Sequence, residues 1–161
     1  MRVVIQRVSE ARVTIEKQEQ RKIGKGLVLL IGIAENDSKE DVEYCANKCS
    51  DIRIFEDQDH KMNLSITDVG GEILAISQFT LLGNTRKGRR PSFIEAANPE
   101  KGNEFYELFV KLLKRKQLKV ETGIFGAMMD VELINNGPVT IIIDSKLDRL
   151  ESRRGNIRKH E

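Results

Sequence analysis

Apolar and polar residues follow short patterns along most of this chain, and these patterns are typical of β-strands. The stretches 3–8 and 11–16 alternate loosely between apolar and polar residues, as half-buried strands do. The stretches 27–33 and 73–79 are almost wholly apolar, which indicates buried strands. A shorter strand is predicted over 52–55. The chain is therefore rich in predicted strands.

The last two apolar stretches, 127–134 and 139–144, are separated by Gly137-Pro138. Proline cannot donate a ladder hydrogen bond and is excluded from central strands, so the sequence predicts a shaped loop joining two strands. Glycine lets the backbone approach a partner closely, and an X-Pro peptide bond can be cis. A tight turn without a further role is the simpler alternative.

Two segments have the pattern of helices. Capping and acidic residues over 37–41 predict a helix near 39–50, and an amphipathic helix is predicted from Asn103 to about Gln117. The preceding stretch, 83–103, contains three glycines and two prolines, which predicts a long irregular loop. The predicted fold is α+β, with a mostly antiparallel, barrel-like sheet and two packed helices.

The length of the chain fits one compact domain. At 161 residues it can bury a core without metal ions or disulfides. We expect a single domain over residues 1–145 and a charged tail over 146–161 that is frayed or weakly helical.

Cysteine usage and the lack of a targeting signal predict a cytoplasmic protein. Cys45 and Cys49 lie four residues apart on a predicted helix, where two thiols are most often core residues in a reducing compartment. The sequence contains neither an apolar run of membrane-spanning length nor a signal peptide.

Charge is nearly balanced but unevenly placed. The chain has 27 basic and 25 acidic residues, for a net charge of +2, which argues against a histone-like protein. The basic residues form three clusters: Arg86, Lys87, Arg89 and Arg90; Lys111, Lys114, Arg115, Lys116 and Lys119; and Arg149, Arg153, Arg154, Arg158 and Lys159. Each cluster is either a solvated face or a contact surface for phosphate groups.

Side chains that usually carry acid–base chemistry are scarce. The two histidines are His60, in a polar loop, and His160, the penultimate residue, and neither is a good candidate for a general base. No spacing typical of a metal site occurs, and the glycines do not form a dinucleotide-binding motif. We therefore expect no metal or cofactor, and an enzyme built on this chain would work without a conventional acid–base side chain.

One short segment could still present chemistry. Hydroxyl, amide and backbone N–H groups follow directly where an apolar stretch runs out, in the residues Ser77, Gln78, Phe79 and Thr80. The alternative is purely local: Ser77 and Thr80 satisfy nearby backbone groups, and Phe79 belongs to the core.

The segments 77–80 and 136–140 together resemble motifs of the D-aminoacyl-tRNA deacylase (D-tyrosyl-tRNA(Tyr) deacylase) family. The opening stretch 1–8 is similar to the first strand of that family, and 123–129 is similar to its third block. The four blocks occur in the family order and span almost the whole chain, so the match is specific.

The resemblance implies a homodimer of β-barrel-like subunits with active sites at their interface. There the Gly-Pro loop of one chain, with its proline in cis, would enter the pocket of the other. The resemblance assigns these residues: Ser77, Gln78, Phe79 and Thr80 as the catalytic segment, Gly137 and Pro138 as substrate-binding residues from the partner, Arg7 as a support of that loop, and Phe125 and Met129 at the pocket for the terminal adenosine.

The implied activity is hydrolysis of the ester between a D-amino acid and the 3′-terminal ribose of tRNA, with glycine also accepted. Backbone N–H groups near Phe79 and Thr80 would stabilise the oxyanion, and the ribose 2′-hydroxyl could orient or activate water. A nucleophilic Thr80 is the competing mechanism. The first basic cluster, Arg86, Lys87, Arg89 and Arg90, would follow the acceptor-stem phosphates.

The alternative from another functional class is a non-catalytic RNA-binding module. The basic loop supports it, with Phe79, Phe93 and Phe125 as stacking surfaces. The chain has only six phenylalanines, two tyrosines and no tryptophan, and most of them fit core positions, which favours the enzyme.

Overall fold

The computed structural model describes residues 1–157, which form eight β-strands, three α-helices and one 3-10 turn. The strands are β1 (Arg2–Ile15), β2 (Glu19–Ile23), β3 (Gly26–Gly32), β4 (Phe55–Glu56), β5 (Met62–Leu64), β6 (Glu72–Ser77), β7 (Lys119–Thr122) and β8 (Met129–Asp144). The helices are α1 (Lys39–Asp51), α2 (Pro99–Arg115) and α3 (Ser145–Ile157), and the 3-10 turn is Phe79–Leu82.

A six-stranded sheet organises the fold around the long strand β1. The first half of β1 pairs with β3 and its second half with β2, both antiparallel, while β8 runs antiparallel along the other side. The strands β3, β6 and β7 are parallel neighbours, because α1 and α2 lie in the connections between them. Arg21 on β2 donates to the Thr122 carbonyl on β7 at 2.8 Å, so the sheet curls into a nearly closed barrel. The predicted α+β, barrel-like class is confirmed.

Both faces of this sheet are buried: one packs against the helices α1 and α2, and the other encloses a second apolar cluster that includes Val28 and Leu74. The larger cluster is the one under the helices. The predicted buried strands are confirmed, since most side chains of β3 and β6 are buried. The apolar face of α2 contributes Phe105, Phe109 and Leu113 to the same core. Cys45 and Cys49 are fully buried in it, as predicted from their spacing.

Several predicted boundaries were wrong. The stretches 3–8 and 11–16 form one strand, because β1 continues through two register shifts in its pairing with β8. Of the predicted strand at 52–55, only Phe55 lies in a strand, β4, because residues 52–54 connect the end of α1 to it. Helix α2 begins at Pro99 rather than Asn103, since the Asn98 side chain caps it and proline is favoured in the first turn.

The Gly-Pro segment is a bulge inside one strand rather than a loop between two. Gln6 pairs with Thr140 and Val8 with Asn135, so residues 136–139 all lie opposite Arg7. The predicted strands 127–134 and 139–144 are thus two parts of β8, because both pair with the uninterrupted β1.

The chain end is more ordered than the sequence predicts. Residues 145–157 form α3, which is held by Lys146 to Asp37 at 3.2 Å and by Arg149 to Glu40 at 3.3 Å. Arg158, Lys159 and His160 of the predicted tail lie outside the described residues. None of the helices in residues 1–157 is both long and apolar enough to cross a membrane.

Candidate functional site

The candidate site begins where the three parallel strands end. Carboxyl ends of parallel strands meet at one edge of a sheet, and segments that follow them are common ligand sites. The chain leaves β6 at Ser77, and the Gln78 N–H donates to the Ile31 carbonyl on β3 at 2.7 Å. The segment after β7, which contains Phe125, starts at the same edge.

The residues after Gln78 turn away from the sheet and leave two main-chain donors free. A 3-10 turn begins at Phe79, so its first N–H groups have no partner within the turn. The first backbone bond of the turn runs from the Leu81 N–H to the Gln78 carbonyl at 3.2 Å. Within residues 1–157, the N–H groups of Phe79 and Thr80 donate to no acceptor. Two adjacent N–H groups at the strand end are therefore left without an acceptor among the described residues.

The Phe79 side chain lies on the surface. It is 56% exposed and meets the ring of Phe93 edge-on, with 5.3 Å between the ring centroids. The predictions that Phe79 ends a buried strand or belongs to the core were wrong, because the chain leaves the sheet one residue after Ser77.

The side chains of this segment bond to each other rather than to an acid or base. The Gln78 amide donates to the Thr80 hydroxyl. Within the part of the chain that the structure describes, no carboxylate, histidine or lysine side chain bonds to residues 77–80. His60 lies on the β4–β5 hairpin, 3.4 Å from Glu56. The site thus offers hydroxyls, an amide and main-chain donors.

Phe125 and Met129 close this edge of the barrel. A side chain at Gly123 would overlap the Met129 sulfur and approach Ile76, so Met129 covers the ends of β6 and β7. The ring of Phe125 rests on Gly102, where an added Cβ would lie 3.2 Å from it. The structure therefore brings Phe125 and Met129 to the same edge as residues 77–80.

Arg7 supports the bulge of β8 from inside the protein. Its Nε donates to the Asn136 carbonyl at 2.9 Å and its Nη1 to the Ile54 carbonyl at 2.7 Å, and the side chain is buried. The Gly137-Pro138 peptide bond is cis, and both residues are exposed. Gly137 and Pro138 thus lie exposed on a fixed support.

Within one chain, the bulge and the turn lie apart. Arg2 donates to the Leu81 carbonyl at 3.0 Å, which places the turn beside the start of β1, whereas the bulge lies opposite Arg7. Positions 2 and 7 are about 16 Å apart along an extended strand. One subunit therefore does not bring residues 137–138 to residues 77–80.

The first basic cluster lies at the tip of a hairpin-like loop next to the turn. Asn84 and Ser92 exchange backbone bonds of 2.8 and 2.9 Å across the base of this loop. The cluster residues Arg86, Lys87, Arg89 and Arg90 are exposed, and among the described residues they form no ion pair.

Sequence reasoning missed three residues that position the site. Arg2 holds the turn through Leu81. Gly32 lies under the turn, where a Cβ would be 2.6 Å from the Leu82 Cδ2. Asn135 closes the bulge, since its amide oxygen accepts from the Val139 N–H at 2.6 Å. Of these three residues, only Asn135 lies next to a motif that the sequence marks, since it precedes Gly137-Pro138 by two residues.

Comparison with known proteins shows similarity to one family over most of the chain. The family model described as D-Tyr-tRNA(Tyr) deacylase matches residues 4–144. The D-aminoacyl-tRNA deacylase of Thermotoga petrophila is 56% identical over 145 residues, which cover 90% of this chain and 97% of that protein. The D-aminoacyl-tRNA deacylase of Bacillus velezensis is 55% identical over 146 residues, covering 91% and 99%.

Two solved structures share the fold. One, described as "c-Myc DNA Unwinding Element Binding Protein", has a TM-score of 0.83 and 38% identity, and covers 89% of this chain and 98% of that chain. The other, described as "Structural Analysis of a probable eukaryotic D-amino acid tRNA deacylase", has a TM-score of 0.78 with the same coverage, and at 17% identity it shows the fold alone.

Proposed function

The chain belongs to the D-aminoacyl-tRNA deacylase family, and we propose that it works with main-chain groups and the tRNA itself rather than with an acid–base side chain. It is a hydrolase that deacylates D-aminoacyl-tRNA, as its relatives are named. The expected products are a free D-amino acid and tRNA. Such a substrate also favours the cytoplasmic location predicted from the sequence.

The observation that carries this mechanism is the pair of free N–H groups at Phe79 and Thr80. Water adds to the ester carbonyl carbon, the resulting oxyanion accepts hydrogen bonds from these groups, and the 3′-oxygen leaves with a proton as the ribose hydroxyl. One such donor is typically worth about 3 kcal/mol in the transition state. The neighbouring ribose 2′-hydroxyl orients the water, so no protein base is needed.

A nucleophilic Thr80 is the second mechanism, and the geometry favours it less. Its hydroxyl accepts a hydrogen bond from the Gln78 amide, and no base among the described residues is placed to take its proton. A hydroxyl without a base is a poor nucleophile at neutral pH.

We propose that a second copy of the chain completes the site. Residues 137 and 138 are exposed, buttressed by Arg7, and distant from the turn of their own subunit. The strand β8 that carries them has no partner on its outer side within residues 1–157, and it exposes Ile134 and Ile142. Unpaired strand edges and exposed apolar side chains are typical of surfaces that another chain covers.

Selectivity for D-amino acids then depends on which side of the substrate α-carbon the bulge blocks. The carbonyls of Gly137 and Pro138 would bind the substrate amine and crowd one side of its α-carbon. An L side chain collides there, whereas a D side chain points to solvent, so selectivity comes from exclusion. Glycine has only hydrogen in the blocked direction and is therefore hydrolysed as well.

A non-catalytic nucleic-acid-binding role is the alternative, and one observation favours it. Phe79 and Phe93 form an exposed aromatic pair beside the basic loop, and exposed rings can stack on bases.

One experiment separates the two functions: purified protein is incubated with tRNA charged with labelled D- or L-tyrosine. Release from the D-charged tRNA alone supports the enzyme, and binding without release of either amino acid supports the alternative.

A further inference from the structure

A groove lies beside the candidate site, between α2 and the segment that follows β7. Its volume is about 750 Å³, which is within the usual size range of ligand pockets. Val110, Ile124 and Phe125 provide an apolar floor. Phe125 follows β7, whose end lies at the same edge of the sheet as the end of β6, so the groove lies beside the edge that carries the candidate site.

The α2 wall of this groove carries three cations and one carboxylate, that of Glu107, which accepts a hydrogen bond from the Asn103 amide at 3.5 Å. Lys111, Lys114 and Arg115 are exposed, and among residues 1–157 none of them forms an ion pair. Their neighbours in the same sequence cluster are already engaged: Lys116 donates to the Ser50 hydroxyl at 2.8 Å, and Lys119 lies 2.8 Å from Glu72. The cluster therefore divides into a structural part and an unpaired part that faces the groove.

The opposite wall is fixed by hydrogen bonds. Arg21 donates to the carbonyls of Thr122 and Gly123 at 2.8 and 3.3 Å. The α2 side is tied to the sheet as well, because the Tyr106 hydroxyl donates to the Ala75 carbonyl at 2.7 Å. The groove is thus preformed and does not depend on a moving loop.

We propose that this groove binds the single-stranded 3′ end of tRNA immediately before the terminal adenosine, which rests on the proposed deacylase function. The charge complements phosphates, and the floor of Ile124 and Phe125 accepts a base. Lys111 and Arg115 are about 6 Å apart along the helix axis. That span covers about two nucleotides of a stacked strand, which have a rise of 3.4 Å each.

The test replaces Lys111, Lys114 and Arg115 with glutamine and compares two substrates. D-tyrosyl-tRNA offers phosphates to the groove, whereas 3′-O-D-tyrosyl-adenosine offers none. The variant should lose kcat/KM on the tRNA and keep it on the adenosine ester. A control variant replaces Lys17, Lys39 and Lys61, exposed lysines outside the groove, with glutamine and should behave as wild type.

Salt dependence of binding to uncharged tRNA gives a second readout. Each single-strand phosphate contact contributes about 0.7 to the slope of log K against log salt, so three lost contacts reduce the slope by about 2. From 200 to 50 mM salt, the wild type should therefore gain about 18-fold more affinity than the variant.

An unchanged slope and equal kcat/KM on D-tyrosyl-tRNA would overturn the groove assignment, as would equal losses on both substrates. Failure of the wild type to hydrolyse either ester would instead refute the proposed function, while the salt slope would still test the groove.

Lys114 and Arg115 also lie at the helix C-terminus, where cations stabilise a helix. The single variant Lys111→Gln, outside that last turn, should show about one third of the slope change.

Discussion

The sharpest prediction concerns a single main-chain hydrogen atom, the N–H of Phe79. Replacing Phe79 with proline deletes this donor. The substitution fits the backbone for two reasons. Position 79 is the first of a 3-10 turn, where proline is tolerated. The preceding residue, Gln78, has φ −141° and ψ 78°, which lies outside the helical region that a following proline disfavours. The N–H donates to no described acceptor, so the fold loses no hydrogen bond.

The expected cost follows from the role of an oxyanion donor. Loss of one such donor typically lowers kcat by about 10²–10³-fold. Phe79→Ala is the matched control, since it also removes the exposed ring and its contact with Phe93 but keeps the N–H. Single-turnover hydrolysis of D-tyrosyl-tRNA should therefore be about 100-fold slower or worse for the proline variant than for the alanine variant, with similar thermal unfolding.

Equal rates for the two variants would refute the main-chain mechanism at this position. A difference that appears in KM and not in kcat would also contradict it, because an oxyanion donor acts in the transition state rather than in substrate binding.

Thr80, Gly32 and the two buried cysteines allow three further tests. Thr80→Ala should retain near-normal kcat, because the Thr80 hydroxyl has no base, and a loss above about 10³-fold in single-turnover assays would favour the nucleophile instead. Gly32→Ala should displace the turn, since the added Cβ would lie 2.6 Å from the Leu82 Cδ2. We expect the free energy of unfolding in denaturant to fall by about 1–3 kcal/mol and kcat to decrease. Unchanged activity would contradict the contact. Burial raises the pKa of Cys45 to about 12 and that of Cys49 well above its ordinary value. Both thiols should therefore resist a disulfide reagent at pH 8 until the protein is unfolded. Rapid labelling of the native protein would show instead that they are accessible.

The strand-rich architecture was predictable from the sequence where apolar residues dominate. The strands β3 and β6 are almost wholly apolar, and α1 carries a capping box at Ser38 and Asp41, so periodicity and caps were sufficient for these elements. The strands β2 and β7 were missed because their sequences, EQRKI and KVET, are largely polar. Their positions depend on pairing with β1 and β6, which is tertiary information.

The site was predictable only in part, for a related reason. A family resemblance pointed to residues 77–80 and 137–138, but the free donors of the 3-10 turn depend on where the chain leaves the sheet. The bulge arises because both parts of β8 pair with β1. The exclusion of proline from central strands predicted a break at Pro138, but the sequence of β8 alone does not show that β1 pairs on both sides of it. Supporting residues such as Arg2 and Gly32 carry no chemistry of their own and become visible only through contacts.

We propose that each active site combines the 77–80 turn of one chain with the 137–138 bulge of another, and mixing of two inactive variants tests this arrangement directly. Phe79→Pro inactivates the turn, and Gly137→Ala distorts the bulge, because at φ 139° its Cβ would lie 2.8 Å from the Val139 Cγ2. Each variant alone should be nearly inactive on D-tyrosyl-tRNA. After the two are unfolded together and refolded at equal concentration, half of the dimers are mixed and each holds one intact site, so activity should return to about a quarter of wild type. No recovery, with mixed dimers demonstrated by mass spectrometry, would contradict the shared site.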